Sequence, residues 1–388
     1  MFALLTAAMA VEAIGVDLLL PAFPDVRAAF GMPADSTEVS WIITVFFLGI
    51  ALGPWVWGPL SDRFGRRRPL IAGLGLYCIG AALSALAPTW PLMLAARFVW
   101  GLGTGAPRSL SMAVIRDRHE GEAMARMMST VVAVFLFVPI FAPLLSTGLR
   151  AIADWRIIFW FPAVAGALLA WWVVRLPETL PPERRRPFNG RAIVDAGAEI
   201  LRQRETVSLM FSAMFVVGAL LTYVGGSEIV IGEIYGLADW YPLFLGTIAA
   251  FGAVTSFVSG RIVVRMGLQR LIAAGMCVAV AAAGSLLVMS LIGGGRPPFV
   301  VFALLIAVIV PLCPGMLPNL NTAALGPVPH IAGTATAMMG TISTAGGAVL
   351  GGIGAAAFNG STTPFAAVIF GYLMAATALA RVATRRTV

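Results

Sequence analysis

Four ionisable side chains stand inside long apolar runs of this 388-residue chain: Glu12, Asp17, Arg97 and Arg108. A charged group at the centre of a bilayer-spanning helix costs roughly 2.5–3.5 kcal/mol on insertion scales, so such groups survive where they pair or move protons and ions. A carboxyl beside an arginine is pulled both ways, because the cation favours its ionised form and desolvation favours its neutral form. At 1.5 Å per residue, Asp17 lies about 21 Å up a helix rising from residue 3. Arg97 lies about as high on a helix descending from residue 91 through a core of roughly 30 Å. The two are therefore expected to meet as a protonatable pair; a static ion pair locking two helices is the alternative. Glu12, about 14 Å up, falls near the midplane. It is either a second proton or cation site or a satisfied polar residue. Arg108 falls near the end of its run, where its guanidinium is expected to snorkel to the surface. Glu228 and Glu233 are expected at the solvated rim of their span.

A second dense feature is the stretch Asp62-Arg63-Phe64-Gly65-Arg66-Arg67-Arg68, opened by Gly58-Pro59-Leu60-Ser61 and set between two apolar runs. Its skeleton returns 202 residues later, where Gly58, Arg63, Gly65 and Arg68 map onto Gly260, Arg265, Gly267 and Arg270. A charged turn repeated at that interval indicates two halves with one plan. Arg116-Asp117 either joins the same charged network or only marks topology.

The elements that must hold these groups are membrane helices. The chain is 59% hydrophobic and only 11% charged, against about a quarter charged in soluble domains, and its mean hydropathy is +0.92. Apolar runs fall at about 3–24, 38–58, 70–88, 91–113, 123–145 and 157–175. They resume at about 207–227, 242–263, 269–292, 298–320, 331–357 and 364–383. Their length and lack of alternation exclude barrel strands, and lipid demands internally bonded backbone. The expected architecture is an all-α membrane protein of twelve transmembrane helices: a six-helix bundle over 1–175, a cytoplasmic linker over 176–206 and a second six-helix bundle over 207–388. The linker, with Pro177, Pro181, Pro182 and Pro187, is expected to carry a short surface helix near Ala192–Arg202.

All 26 basic residues are arginine, and 20 of them fall on one side when loops are assigned alternately. Short-loop arginine marks the cytoplasmic face, so both termini are expected inside. The net charge of +8 then reports topology, not a nucleic-acid partner. The first 20 residues lack a basic leader and read as a retained helix. Cys78, Cys277 and Cys313 are scattered through apolar runs without metal spacing. No cofactor, metal site or catalytic set is expected, and His119 and His330 have no partners at motif spacing.

Prolines at 139, 143, 311, 314 and 318 each remove a backbone donor and are read as candidate kinks, since bent helices mark transporter gates. Phe46, Phe47, Trp100, Phe135, Phe137, Tyr223 and Met338 are candidate walls of an adaptable apolar cavity. The runs Gly101–Gly105 and Gly346–Gly352 lie inside apolar segments with no preceding strand, so they are read as close helix contacts and not phosphate loops.

Twelve spans, two halves and the sequence Gly58, Leu60, Asp62, Arg63, Gly65, Arg66, Arg67 resemble the major facilitator superfamily across the whole chain. Within it the chain is similar to drug:proton antiporters of the bicyclomycin and chloramphenicol resistance type. That closer likeness rests on Asp17–Pro24, Leu48–Gly53, Val114–Asp117 and Asp154–Arg156. Trp100 stands where the helix-four pattern has glutamine, and Ser146-Thr147 where the helix-five pattern has glycine. The resemblance implies a bacterial inner-membrane, monomeric exporter of small amphipathic or antibiotic-like compounds, coupled to protons by Asp17 and Arg97. It also implies a cytoplasmic gate built from Gly58, Asp62, Arg63, Gly65, Arg66, Arg67, Arg116 and Asp117. The rival readings are a transporter of one metabolite and a lipid-handling membrane protein.

Overall fold

A computed structural model describes residues 2–119, 121–185 and 190–384. Every regular element among them is helical. The chain divides into two units, residues 1–34 with 41–189, and residues 35–40 with 190–388.

Unit 1 contains six rods. The first is α1 (Phe2–Asp17), which continues through a tight turn into the short α2 (Phe23–Ala29). The others are α3 (Trp41–Phe64), α4 (Arg67–Leu86), α5 (Trp90–Arg118), α6 (Gly121–Ile152) and α7 (Ile157–Val173). Unit 2 opens with the surface helix α8 (Gly190–Arg202), at the place the linker sequence predicts. Its six rods are α9 (Arg204–Ile229), α10 (Tyr241–Met266), α11 (Leu268–Ile292), α12 (Phe299–Leu325), the pair α13 (Ala332–Thr341) and α14 (Gly347–Ala356), and α15 (Thr363–Thr384). Among the described residues nine helices are long and apolar enough to cross a membrane, or ten if α7 and the Phe137–Ile152 part of α6, which meet at 113°, form one span. The 29-residue α5 is not among the nine. Its run contains Arg97, Arg108, Arg116 and Arg118, which dilute its apolar character.

Burial is arranged for lipid. Large apolar side chains cover the outside, with Val264 86% and Ile292 73% exposed, while Arg97 is wholly enclosed. Bundle packing therefore depends on close contact rather than on withdrawing apolar surface from water. The glycine run of α5 supplies it: a Cβ on Gly101 would lie 2.0 Å from the Phe46 carbonyl oxygen, and one on Gly105 would lie 2.7 Å from the Gly53 Cα. These two backbones touch, so α3 and α5 form the tightest pair of unit 1.

The halved plan is visible in the backbone. Gly65 and its counterpart Gly267 both take positive φ, +89° and +80°, at the turns joining α3 to α4 and α10 to α11. Both are residues an L side chain fits poorly. The charges between them are not repeated, because Val264 and Leu268 stand where Asp62 and Arg66 stand in the first half.

The candidate kink prolines lie inside continuous helices, Pro139 and Pro143 in α6 and Pro311, Pro314 and Pro318 in α12. The regular α-helical pattern gives way at two π-helical turns, Val230–Ile234 after α9 and Ile342–Gly346 between α13 and α14. Proline costs a helix one hydrogen bond, and packed neighbours in a membrane bundle tolerate that loss.

Candidate functional site

Unit 1 does not contain the expected Asp17–Arg97 ion pair. Arg97 Nη1 donates to the Gly15 carbonyl at 3.0 Å and Nε to the Ile42 carbonyl at 3.4 Å, and Nη2 has no hydrogen-bond partner among the described residues. The guanidinium stacks on Phe46 at 4.3 Å and on Trp100 at 4.7 Å. Desolvated contacts of this kind contribute up to about 2 kcal/mol each. Gly15 is within one turn of Asp17, so Arg97 reaches that level of α1 without pairing with the carboxyl. Height alone does not set pairing: Asp17 is half-buried, and Arg97 spends its hydrogen bonds on the Gly15 and Ile42 carbonyls.

The ion pair that does form joins the other two intramembrane charges. Arg108 Nη1 lies 2.8 Å from Glu12 Oε1, with the Glu12 side chain 5% exposed and that of Arg108 52% exposed. Glu12 Oε2 is buried without a partner among the described residues. Arg108 therefore reaches inward to an acid that would otherwise be isolated, instead of snorkelling out. The result is a buried carboxylate with one oxygen bonded and one idle, against a cation that is already half in the open. A weakly held, half-satisfied carboxylate of this kind is a chemically sensible place to load and unload a proton.

Towards the C-terminal end of α5, beyond Arg108, Arg66 is the hub of the charged turn. Its Nε lies 2.8 Å from Asp117 Oδ2, while Nη1 lies 2.7 Å from both Asp62 Oδ1 and Ser61 Oγ. The sequence left Asp117 open between network and topology; the geometry puts it in the network. Arg116 is exposed and takes no part, Arg63 stacks on Phe64 at 5.1 Å, and a side chain at Gly58 would meet open space. Burial works against the Arg66 charge, but its bonds to Asp117 and Asp62 outweigh that and hold its proton more firmly than usual.

Glu178 is the member that sequence reasoning missed. Its carboxylate accepts the backbone N–H groups of Arg66 at 2.7 Å and Arg67 at 3.2 Å, and those of Thr179 and Leu180 at 2.9 and 3.0 Å. It thus caps the open N-terminus of α4, where unpaired N–H groups and the helix dipole favour an anion. Burial pushes the Glu178 carboxyl up, but the N–H groups of Leu180, Arg66, Arg67 and Thr179 together hold it below the ordinary range. No spacing rule reaches across the 112 positions between Glu178 and Arg66; the only hint was an acid placed immediately after a span. Since the folded form binds its proton less tightly than the unfolded chain, this cap stabilises fully above the ordinary carboxylate range and is lost as pH falls through the folded value. The thermal stability gap between the native protein and Glu178→Gln is accordingly expected to be widest near neutral pH and to close below about pH 4. Melting curves of both proteins in detergent across that range check this.

The aromatic cavity assignment is corrected in part. Phe46, Trp100 and Tyr223 are buried at 2% exposure or less. Phe46 and Tyr77 pack edge-to-face on Trp100 at 5.6 and 5.5 Å, building the cage around Arg97. They are core, because a buried guanidinium without a carboxylate needs π faces. Phe47 and Met338 are half-buried and Phe137 is 55% exposed. The side chain of Phe135 lies outside the described residues. In unit 2, Glu228 is only 8% exposed within α9, contrary to its expected place at the rim, whereas Glu233 is exposed as expected.

Comparison with known proteins agrees with this architecture. The family model described as Major Facilitator Superfamily matches residues 5–352. The chain is 29% identical over 341 residues, covering 87% of it and 84% of the other protein, to the "Bicyclomycin resistance protein homolog" of Haemophilus influenzae. It is 28% identical over 246 residues, covering 63% and 60%, to the "Multidrug resistance protein MdtL" of Shigella dysenteriae. Among solved structures, a D-xylose–proton symporter superposes with a TM-score of 0.76 at 15% identity, covering 99% of this chain and 97% of that one. The human organic anion transporter MFSD10 superposes with a TM-score of 0.72 at 18% identity, covering 98% of both. These likenesses to solved structures concern the fold alone. Helical rods, a halved plan and a family match over nearly the whole length make one conclusion: the chain belongs to the major facilitator superfamily and is a membrane transporter, not an enzyme.

Proposed function

We propose that this protein exports small amphipathic, antibiotic-like compounds in exchange for protons, by alternating access in a bacterial inner membrane with both termini cytoplasmic. The observation that carries the reading is the buried Glu12–Arg108 pair with Asp17 five positions on along the same helix. In this reading Glu12 and Asp17 are the proton carriers. Protonation of Glu12 releases Arg108 to solvent, and deprotonation draws it back, so the charge inside the bundle changes with each cycle. Arg97, holding the α1 backbone at Gly15 with a spare donor beside it, is the fixed cation against which Asp17 works. The Arg66 network with its Glu178 cap is the cytoplasmic latch. The names of the relatives, bicyclomycin and multidrug resistance, support the drug-like substrate class.

One elementary charge moving through 100 mV is worth about 2.3 kcal/mol. At about 1.4 kcal/mol per tenfold ratio, one proton sustains roughly a fifty-fold outward gradient of a neutral drug. The test is purified protein in proteoliposomes under an imposed pH gradient, read with a panel of chemically varied antibiotics and dyes. Accumulation of several unrelated compounds that collapses with a protonophore is the expected result. Transport of a single polar metabolite overturns the drug reading, and transport indifferent to the pH gradient overturns the coupling.

A further inference from the structure

Unit 1 has a groove of about 350 Å³ between α1 and α7 that the transport reading does not use. Small side chains, Ala7, Ala10 and Ala165, form its floor, and Ile14, Leu168 and Trp172 stand along it. Every lining residue is apolar, and Leu168 and Trp172 are 63% and 41% exposed. From Ala7 to Ile14 the slot runs about 10 Å along the helix axis. Its all-apolar lining suits an extended hydrocarbon chain, since a drug site also presents convergent polar groups to fix orientation.

The end of the slot beside Trp172 is cationic. Less than one turn further, where the chain leaves α7, the backbone N–H of Arg175 donates to the Trp172 carbonyl at 3.1 Å, so Arg175 follows directly on the last lining residue of the slot. Its guanidinium stacks on the 60% exposed Trp171 at 3.9 Å. The Arg67 guanidinium reaches the Leu176 carbonyl beside it at 3.5 Å. The acid of this corner, Glu178, already accepts four backbone N–H groups. Two exposed tryptophans at a helix end mark the headgroup level of a bilayer, and guanidinium groups there bind phosphate through paired hydrogen bonds.

We propose that this groove is a binding site for one anionic phospholipid, with an acyl chain lying along α1 and α7 and its phosphate on Arg175, assisted by Arg67. The occupant is a lipid because an all-apolar slot ends at exposed tryptophans with a guanidinium three residues beyond its last lining residue. A soluble anion would use only the cation, and a packed helix of another protein would use the slot without the anion preference.

The experiment is native mass spectrometry of the full chain in detergent, titrated with phosphatidylglycerol or with phosphatidylcholine carrying the same acyl chains. Phosphatidylglycerol adducts are expected to form at about tenfold lower lipid concentration than phosphatidylcholine adducts. Arg175→Gln, a surface change that leaves the fold intact, is expected to erase that preference. Ala165→Leu, which narrows the slot, is expected to weaken both lipids together. Equal binding of the two lipids by the native protein overturns the proposal, as does a preference that survives Arg175→Gln. Loss in Arg175→Gln with no effect of Ala165→Leu, in protein whose melting curve is unchanged, overturns the slot and leaves only a surface cation. None of these readouts depends on transport, so they stand apart from the proposed function.

Discussion

Glu12→Gln is expected to collapse the roughly fifty-fold drug gradient that one proton sustains across 100 mV to near unity, while downhill exchange of the same drug continues. The substitution is nearly isosteric, so the packing of α1 is kept. It leaves Arg108 without a carboxylate, but that side chain is 52% exposed and finds water, so stability is expected to change by no more than about 1 kcal/mol. The loss is therefore one of coupling, not folding. Proteoliposomes separate the two: efflux driven by a pH gradient is measured beside efflux driven by the drug's own gradient, and proton release on drug addition is read in detergent. Asp17→Asn is the companion variant, since Asp17 is the other carboxyl of α1. If Glu12→Gln pumps as the native protein does and Asp17→Asn does not, the proton is carried one and a half turns away from where the ion pair lies. Unimpaired pumping by both variants removes α1 from the coupling mechanism altogether.

Gly65→Ala and Gly267→Ala are expected to differ sharply, although the two glycines are counterparts in the repeated turn and share a positive φ. An L residue at positive φ costs on the order of 1–3 kcal/mol at either place, and Gly267, at φ +80° and ψ 154°, lies where essentially only glycine goes. At Gly267 nothing lies within 4 Å of the added Cβ, so the cost ends there. At Gly65 the Cβ would lie 2.3 Å from Glu178 Oε2, closer than real atoms come. The carboxylate must move and release the N–H groups of Arg66 and Arg67, which adds the cost of uncapped donors, about 1–3 kcal/mol. The melting temperature of Gly65→Ala is thus expected to fall clearly further than that of Gly267→Ala. Transport should suffer only in Gly65→Ala, because Arg66 sits on the displaced turn. Equal losses would show that Glu178 is a passive neighbour. The double variant Gly65→Ala with Glu178→Ala is expected to lose less than the sum of the two single variants, because both remove the same cap.

Much of this protein is legible without coordinates, and for one physical reason. A bilayer core of roughly 30 Å forces each span to be a long apolar helix, so the helical fold, the two halves and the surface helix at 190–202 follow from one-dimensional patterns. The paired glycine turns follow too, because a left-handed turn needs glycine wherever it occurs. The intramembrane charges are equally visible, since each is an exception to the apolar rule. What the one-dimensional pattern does not contain is which charge meets which. Rise per residue placed Asp17 and Arg97 at one height, yet pairing depends on the angle at which each side chain leaves its helix and on what stands between. The guanidinium of Arg97 went to aromatic faces and backbone carbonyls, and the partner of Glu12 became an arginine 96 positions away. The same holds for Glu178, whose role exists only because the end of α7 lies against the start of α4. Composition and periodicity determined that charges are buried here, and helix packing alone decided their partners, because an ion pair is a matter of a few ångströms in three dimensions.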